Sequence, residues 1–156
     1  ILERIAFVIS EELKHIEFDR ICAVPTGGLP IATIIALHLK KPMIYYRNKQ
    51  KKHGTLKTIE GDWETGEKIV LIDDVVTTGT SLNEAFEILK FAKFDILRAH
   101  VIVDRSEKKP NLGFDIFSCL KMSLGFLGKA ILKPCMSYIS PICPVLEMTT
   151  ISCSLL

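Results

Sequence analysis

The sequence predicts an α/β fold in which a mainly parallel sheet is covered by helices on both faces. Short apolar runs alternate with segments of helical periodicity, and most of these runs are apolar throughout. Continuous apolar strands are typical of parallel sheets that are buried on both faces. With 156 residues, the chain is long enough for one such domain and too short for two of full size.

The first half of the chain contains two predicted helices and two predicted strands. Residues 2–16 place apolar side chains at helical spacing with charged side chains opposite, which predicts an amphipathic helix. The apolar run 20–24 predicts a strand that ends at a proline and a glycine pair. A buried helix over 30–39, with a proline in its first turn, and a strand over 42–46 follow.

The apolar pattern stops between residues 47 and 57, where the segment "RNKQKKHGTLK" holds five Lys or Arg residues and no acid. Beyond it, apolar runs predict strands over 68–72, 96–104 and 114–120, with a helix over 81–91. These strands and helices complete a core domain over residues 1–127. Residues 128–156 mix Pro, Cys, Ser and apolar residues without a clear period, so this tail stays unassigned. A poorly ordered tail, a docking segment and sequence unrelated to the fold are all open.

Composition excludes several classes of protein. A formal net charge of +2 gives no whole-protein argument for binding nucleic acid. The five cysteines form no C-x-x-C pair, no His/Cys cluster has zinc spacing, and Cys22 and Cys119 are expected to be buried thiols. No signal peptide is recognised, and no long uncharged apolar run occurs in the core domain, so we expect a cytoplasmic protein with no membrane partner.

One stretch, "KIVLIDDVVTTGTSL", carries specific chemistry. An apolar strand leads into Asp73 and Asp74, and the small, hydroxyl-rich segment "TTGTS" follows just before a helix. Backbone N–H groups and the dipole at a helix N-terminus favour a phosphate. Carboxylates beside it would repel a phosphate but accept hydrogen bonds from a neutral diol. Together these groups predict a ribose 5-phosphate site at the carboxyl edge of the sheet. The competing interpretation makes Asp74 or Thr77 a helix cap and Asp73 a solvated strand end.

The sequence resembles the type I phosphoribosyltransferases, whose signature "VLIDDVVTTGTS" matches at every position. "VPTGGLPIA" is similar to the pyrophosphate-binding loop of this family. "RNKQKKHGTLKTIEG" and "VIVDRSE" are similar to the mobile catalytic loop and the base-binding turn of its orotate branch. The resemblance runs from Ile1 to about Met122. It implies the type I phosphoribosyltransferase fold and transfer of the 5-phosphoribosyl group from phosphoribosyl pyrophosphate (PRPP) to orotate.

The resemblance also implies roles for individual residues. Asp73 and Asp74 would hold the ribose hydroxyls, and Thr77 and Arg105 would bind orotate. The loop that binds the pyrophosphate would consist of Pro25, Thr26, Gly27 and Gly28. The 5-phosphate would be wrapped by Val75, Val76, Thr77, Thr78, Gly79, Thr80 and Ser81. The segment 47–57, called the basic loop below, would close over the pyrophosphate through Arg47, Asn48, Lys51 and His53. Lys51 and His53 would act as catalytic residues together with Asp73 and Asp74, called the acid pair below.

Mg²⁺ would arrive on the oxygens of PRPP rather than in a protein cage, and the basic loop would be shared in trans within a homodimer. Two departures from the family pattern matter. Asn48 stands where a second basic residue is usual, so one pyrophosphate contact is expected to be weaker. The family's N-terminal hood is expected to be missing before Ile1, which affects base binding more than PRPP binding.

Two alternatives remain open at this point. A phosphoribosyltransferase for a purine or uracil is disfavoured by the basic loop and by Arg105. A non-catalytic, PRPP-sensing regulator on the same fold, binding RNA or DNA, is disfavoured by the near-neutral net charge and by the intact loop chemistry.

Overall fold

The computed structural model describes residues 1–47, 59–108, 110–124 and 130–134 of the chain. Within these ranges the chain forms three helices and seven strands. The helices are α1 (Leu2–Leu13), α2 (Gly28–Leu39) and α3 (Thr80–Phe91). The strands are β1 (Arg20–Ala23), β2 (Met43–Tyr46), β3 (Ile59–Glu60), β4 (Lys68–Val76), β5 (Asp95–Asp104), β6 (Asp115–Leu124) and β7 (Ala130–Pro134).

The described strands form one sheet in the order β3-β2-β1-β4-β5-β6-β7. The central strands β2, β1, β4, β5 and β6 are parallel, whereas β3 and β7 pair antiparallel at the two edges. After β1 the chain moves outward to β2, and it later returns to the other side of β1 as β4. The strand order therefore reverses between β1 and β4. In open α/β sheets this reversal opens a crevice at the carboxyl ends of the strands, where ligands bind.

Each face of the sheet has its own apolar core. On one face, α1 and α2 bury side chains such as Ile9, Leu13 and Ile35 against Ile21 and Ile72 of the sheet. On the other face, α3 packs onto a separate cluster whose buried members include Cys22, Leu71, Leu82, Leu89 and Val101. The predicted mainly parallel sheet with helices on both faces is confirmed.

One boundary prediction was wrong where it matters most for the site. We expected a strand over 68–72, but β4 continues to Val76. Its pairing with β1 ends at Ile72, whereas its pairing with β5 continues through Val76 and Asp104. The acid pair therefore lies inside the last part of β4, beside the gap left where β1 has ended.

Other differences are small. The helix α2 begins at Gly28, before Pro30, because the proline lacks only an N–H that the first turn leaves unpaired anyway. The short edge strands β3 and β7 were not predicted from the sequence. β7 adds residues of the unassigned tail to the sheet, and the division of the chain at residue 127 stays a prediction.

Two further expectations concern the described residues only. Cys22 and Cys119 are buried and form no disulfide, as predicted. In the described part of the chain, no helix is both long enough and apolar enough to cross a membrane. The remaining three cysteines lie outside the described residues.

Candidate active site

The acid pair of β4 lies at the reversal of strand order. Asp73 is only 4% exposed, and its Oδ1 accepts the backbone N–H of Asp74 at 2.8 Å. Asp74 is half-buried, and its Oδ1 accepts the backbone N–H of Val75 at 2.8 Å. Asp73 is thus not the solvated strand end of the competing interpretation. Both carboxylates are held by the local backbone at the carboxyl edge.

Burial dominates the electrostatics of Asp73. It raises the pKa of this carboxyl to about 7, because a charged group loses water when it is covered by protein. The backbone N–H of Asp74 acts in the opposite direction and lowers the pKa, whereas the Asp74 side chain raises it further. A neutral diol, which donates hydrogen bonds without adding negative charge, suits such a pair better than an anion does.

The pyrophosphate loop (Pro25–Gly28) follows β1 and packs directly onto the acid pair. A Cβ built at Gly27 would lie 2.2 Å from Oδ2 of Asp74, and one built at Gly28 would lie 2.4 Å from the carbonyl oxygen of Ile72. Only residues without a side chain fit at these two positions. The Pro25–Thr26 peptide is cis, and the Gly28 N–H donates to the carbonyl of Val24 at 3.0 Å. The loop therefore lies against the acid pair, with Thr26 and Gly27 exposed.

The phosphate loop (Val75–Ser81) joins β4 to α3. Its turn depends on Gly79, whose φ of +83° places it in the left-handed region that favours glycine. Gly79 is also the N-cap of α3, so the alternative that Asp74 or Thr77 caps this helix is wrong. No side chain caps the helix and no acid lies in its first turn, which leaves its N-terminal N–H groups open to an anion.

The phosphate loop also carries four exposed residues with hydroxyl side chains. Thr77, Thr78, Thr80 and Ser81 are all exposed, and the hydroxyl oxygens of Thr78 and Thr80 lie 2.8 Å apart. The loop thus combines open backbone donors with hydroxyl donors at one end of α3.

A residue that the sequence did not single out connects β2 with this loop. Tyr46, the last residue of β2, is fully buried, and its hydroxyl donates to the carbonyl of Ser81 at 3.2 Å. Burial raises the pKa of the Tyr46 phenol, and the acids Glu84 and Asp73 raise it further, so the hydroxyl keeps its proton. Alternating burial along "MIYY" points this side chain inward, but its partner depends on long-range packing.

The basic loop is described only at its first residue. Arg47 is half-exposed, and its Nε lies 2.8 Å from Oε1 of Glu60, on the edge strand that pairs with β2. The guanidinium therefore has a protein carboxylate as its partner in this structure. Asn48, Lys51 and His53 lie outside the described residues, and their roles stay predictions.

The turn after β5 carries Arg105. The Arg105 N–H donates to the carbonyl of Val76 at 2.8 Å, which joins this turn to the end of β4. Arg105 is exposed, and the neighbouring Asp104 is held by Lys121 and Ser106. A competing interpretation makes Arg105 a surface residue paired with Asp104 or Glu107, and of these two acids Asp104 already accepts from Lys121 and Ser106.

This geometry agrees with comparisons to known proteins. The protein-family model described as the phosphoribosyl transferase domain matches residues 1–131, which is most of the chain. The chain belongs to this family. Among its relatives, the orotate phosphoribosyltransferase of Pyrococcus horikoshii is 37% identical over 85% of this chain and 74% of its own length. The orotate phosphoribosyltransferase of Sulfolobus acidocaldarius is 42% identical over 76% of this chain and 63% of its own.

A solved structure agrees with the fold of this phosphoribosyl transferase domain. The crystal structure of orotate phosphoribosyltransferase from Aeropyrum pernix is similar with a TM-score of 0.60 at 35% identity. The similarity covers 75% of this chain and 67% of that one. Across eight curated relatives, the chain spans 49% to 74% of their length.

The structure gathers much of the predicted site of this phosphoribosyl transferase domain at one edge of the sheet. The pyrophosphate loop, the acid pair and the phosphate loop lie at the ends of β1 and β4, and the Arg105 turn is bonded to the end of β4. The predicted basic loop begins at Arg47, next to Tyr46.

Proposed function

We propose that this chain transfers the 5-phosphoribosyl group from PRPP to orotate, giving orotidine 5-phosphate and pyrophosphate in UMP biosynthesis. The observation that carries the proposal is the direct contact of the pyrophosphate loop with the acid pair, one strand away from the Arg105 turn. The names of the relatives support orotate as the acceptor.

The donor would be bound by three neighbouring elements. The carboxylates of Asp73 and Asp74 accept hydrogen bonds from the ribose hydroxyls, and the phosphate loop binds the 5-phosphate at the N-terminus of α3. The exposed backbone of the pyrophosphate loop lies on the other side of the acid pair, where the leaving group is expected. This order follows the order of the groups along PRPP itself.

In the reaction, the acceptor nitrogen of orotate gives up its proton and bonds to the anomeric carbon while the anomeric C–O bond breaks. The departing pyrophosphate is the group that can take up this proton. The electron pair of the C–O bond leaves with the pyrophosphate oxygen, so negative charge develops on the leaving group. Positive side chains stabilise such charge best when they are already in place and water is excluded. We assign this role to Arg47 and Lys51, with His53 donating a hydrogen bond or a proton. Arg47 must then exchange the Glu60 carboxylate for the pyrophosphate.

The acceptor would be held by Arg105 and Thr77. An arginine can donate two parallel hydrogen bonds to a carboxylate, which suits the carboxylate of orotate. Arg105 is exposed at the same edge as the acid pair. Thr77 lies in the phosphate loop and is also exposed.

The residues fit a magnesium ion that is carried by the substrate. Mg²⁺ prefers oxygen ligands and commonly binds through substrate phosphates with several waters retained. The described ranges bring no three His, Cys, Asp or Glu side chains into one cluster that could hold a metal. The ion would be held mainly by the pyrophosphate and ribose oxygens and would neutralise charge on the leaving group.

Two further parts of the proposal concern the assembly and the compartment. We expect a homodimer in which the basic loop reaches the partner's site, and a cytoplasmic location. Size-exclusion chromatography with light scattering tests the dimer. Complementation between an Asp73→Ala variant and a Lys51→Ala variant tests the shared loop, because mixed dimers would regain one intact site.

The test of the function follows the loss of orotate absorbance with PRPP and Mg²⁺, on the intact protein. A parallel thermal-shift titration with PRPP reports donor binding alone, since a ligand that binds only the folded state raises the melting temperature. Turnover of orotate together with a PRPP-dependent shift supports the proposal. A PRPP shift without turnover of any base contradicts it and favours the regulator, and turnover of uracil or a purine instead favours another transferase.

A matched pair of variants tests the basic loop. Lys51→Ala is expected to reduce turnover severely while the PRPP-free melting temperature stays unchanged. Lys52→Ala removes the same charge from the next position of the loop and is the control. Equal turnover in both variants would refute the assignment of Lys51.

A further inference from the structure

We propose that Lys121, Asp104 and Ser106 are positioning residues that fix the turn carrying Arg105 and thereby determine the affinity for orotate. This inference rests on the proposed function. None of the three needs to touch a substrate, because each would act through the position of the Arg105 guanidinium.

Asp104 and Ser106 close the turn that carries Arg105. One oxygen of Asp104, Oδ1, accepts the backbone N–H of Ser106 at 2.7 Å and lies 2.5 Å from the Ser106 hydroxyl. An aspartate that accepts the N–H two residues ahead closes a short turn around the residue between them. That intervening residue is Arg105. Ser106 is 5% exposed, so the far side of the turn is buried in the protein.

Lys121 attaches this turn to the next strand, β6. The other oxygen of Asp104, Oδ2, lies 2.8 Å from Nζ of Lys121, which is its register partner on β6. Each carboxylate oxygen therefore has its own donor, and the carboxylate cannot rotate without losing one of them. Burial alone would raise the pKa of Asp104, but the donors Lys121 and Ser106 outweigh it and lower the pKa below its usual range. Asp104 is thus ionised at neutral pH.

A backbone hydrogen bond links the turn to β4, at the proposed donor site. The Arg105 N–H donates to the carbonyl of Val76, the last residue of the strand that carries the acid pair. The turn is therefore held from both sides, by β4 through this backbone bond and by β6 through Lys121. These bonds fix the backbone from which the Arg105 side chain reaches toward the acceptor, so the guanidinium starts from a constant position relative to the acid pair, as an acceptor site for the bound sugar requires.

The test uses Lys121→Met, which removes the charge and keeps most of the side-chain volume, and Lys121→Arg, which restores the ion pair. Lys121→Met is expected to raise the KM for orotate by about tenfold while the KM for PRPP changes less than about twofold. Lys121→Arg is expected to return the KM for orotate close to the wild-type value. Lys14→Met, which removes a lysine from the exposed pair with Glu11, is the matched control and should change neither KM.

A double-mutant cycle identifies the route of the effect. If Lys121 acts through Arg105, adding Lys121→Met to Arg105→Gln should raise the KM for orotate little beyond the single Arg105→Gln variant. Full additivity of the two changes would overturn the inference. So would equal changes in both KM values with a lowered melting temperature, which is what a merely structural ion pair would produce.

Failure of this inference is distinguishable from failure of the proposed function. Orotate turnover that depends on Arg105 but not on Lys121 contradicts the inference alone. If the protein turns over a different base and Arg105→Gln leaves the KM for that base unchanged, both the inference and the orotate assignment are wrong.

Discussion

The carboxylate of Asp74 fills the space that a side chain at Gly27 would need, since a Cβ at Gly27 would lie 2.2 Å from Asp74 Oδ2. Gly27 itself has φ −67° and ψ −32°, a backbone conformation that alanine adopts easily. Any effect of Gly27→Ala is therefore steric. We expect this substitution to displace the Asp74 carboxylate, to cost about 1–3 kcal/mol in stability as overpacking does, and to abolish the PRPP-dependent thermal shift.

The steric cause can be separated from other effects by a second substitution. In an Asp74→Ala background the space beside Gly27 is empty, so adding Gly27→Ala should cost little further stability. Chemical denaturation of the four proteins in this cycle gives the coupling free energy. A coupling near zero would show that the two residues do not compete for this space.

The ionised carboxylate of Asp73 is expected to lower the stability of the folded protein, although the proposed function needs it. Its pKa of about 7 lies above that of an unfolded aspartate, so the folded protein holds a proton that the unfolded chain releases between about pH 4 and pH 7. Stability therefore falls as pH rises through this range, and the full cost is present above about pH 7. Asp73→Asn should be more stable than the wild type by about 4 kcal/mol at pH 8, since the pKa differs by about three units between the two states, and the difference should vanish below about pH 4.

The same variant should lose turnover, because an amide replaces one acceptor oxygen for the ribose hydroxyls with an N–H₂ donor. Melting temperatures from pH 4 to pH 8, with turnover at pH 8, check both parts. Asp95→Asn is the control. Asp95 is exposed at the start of β5, at the amino ends of the parallel strands, and its replacement should change neither the melting temperature nor turnover. A less stable Asp73→Asn at pH 8 would contradict the assigned cost of burial.

Tyr46 is expected to set donor affinity without touching the donor. Tyr46→Phe removes the hydroxyl that donates to the Ser81 carbonyl and leaves the buried ring in place. We expect a loss of about 0.5–1.5 kcal/mol in stability. A weaker PRPP affinity should accompany it, because the first turn of α3 is no longer fixed to β2. Isothermal titration with PRPP measures the affinity, and Tyr45→Phe on the preceding residue is the matched control.

His100 is expected to make the protein sensitive to acid. It is fully buried in β5 and stacked on Phe117, and neither ring nitrogen has a hydrogen-bond partner among the described residues. Burial and the positive charge of Arg98 lower its pKa to about 3, and they outweigh the Glu12 carboxylate 3.9 Å away, which would favour the charged ring.

The sign of the effect follows from these values. Between about pH 6.5 and pH 3 the unfolded chain binds a proton at this histidine that the folded protein cannot, so stability is lost as pH falls. At pH 5, His100→Leu should retain about 2 kcal/mol more of its pH 7.5 stability than the wild type does. Urea denaturation at the two pH values measures this, with His15→Leu as an exposed control. Parallel losses in wild type and His100→Leu would rule out His100 as the source.

The three helices and the five parallel strands were predictable because local patterns indicate them, whereas the short edge strands β3 and β7 were not. After their first, charged residue, the runs "RICA" and "KIVLI" are apolar, as is typical of strands covered on both faces, and the "TTGTS" segment marks the start of α3. The end of β4 was missed because two aspartates look like a strand end. Only the neighbouring β5, which pairs with them, keeps them in the strand.

The contacts that shape the site could not be read from the sequence. Gly27 meets Asp74 and Tyr46 meets Ser81 across long stretches of chain, and each contact depends on the register of strands that pair only in the folded sheet. The ion pair of Arg20 with Glu67, at the amino ends of the parallel strands, likewise joins residues that are far apart in the sequence. Sequence motifs therefore predicted which segments form the candidate site, whereas the order and register of the strands determine which of these segments are in contact.

The bond from the Arg105 N–H to the Val76 carbonyl uses only backbone atoms. Any residue except proline can make it, so the turn keeps its attachment to β4 whatever side chain stands at position 105. Under the proposed function, a new side chain at position 105 would meet a different acceptor, while the proposed sugar site at the end of β4 would be left undisturbed. Such separation would let the choice of acceptor change by single substitutions at this position, each of which keeps the backbone bond that holds the turn.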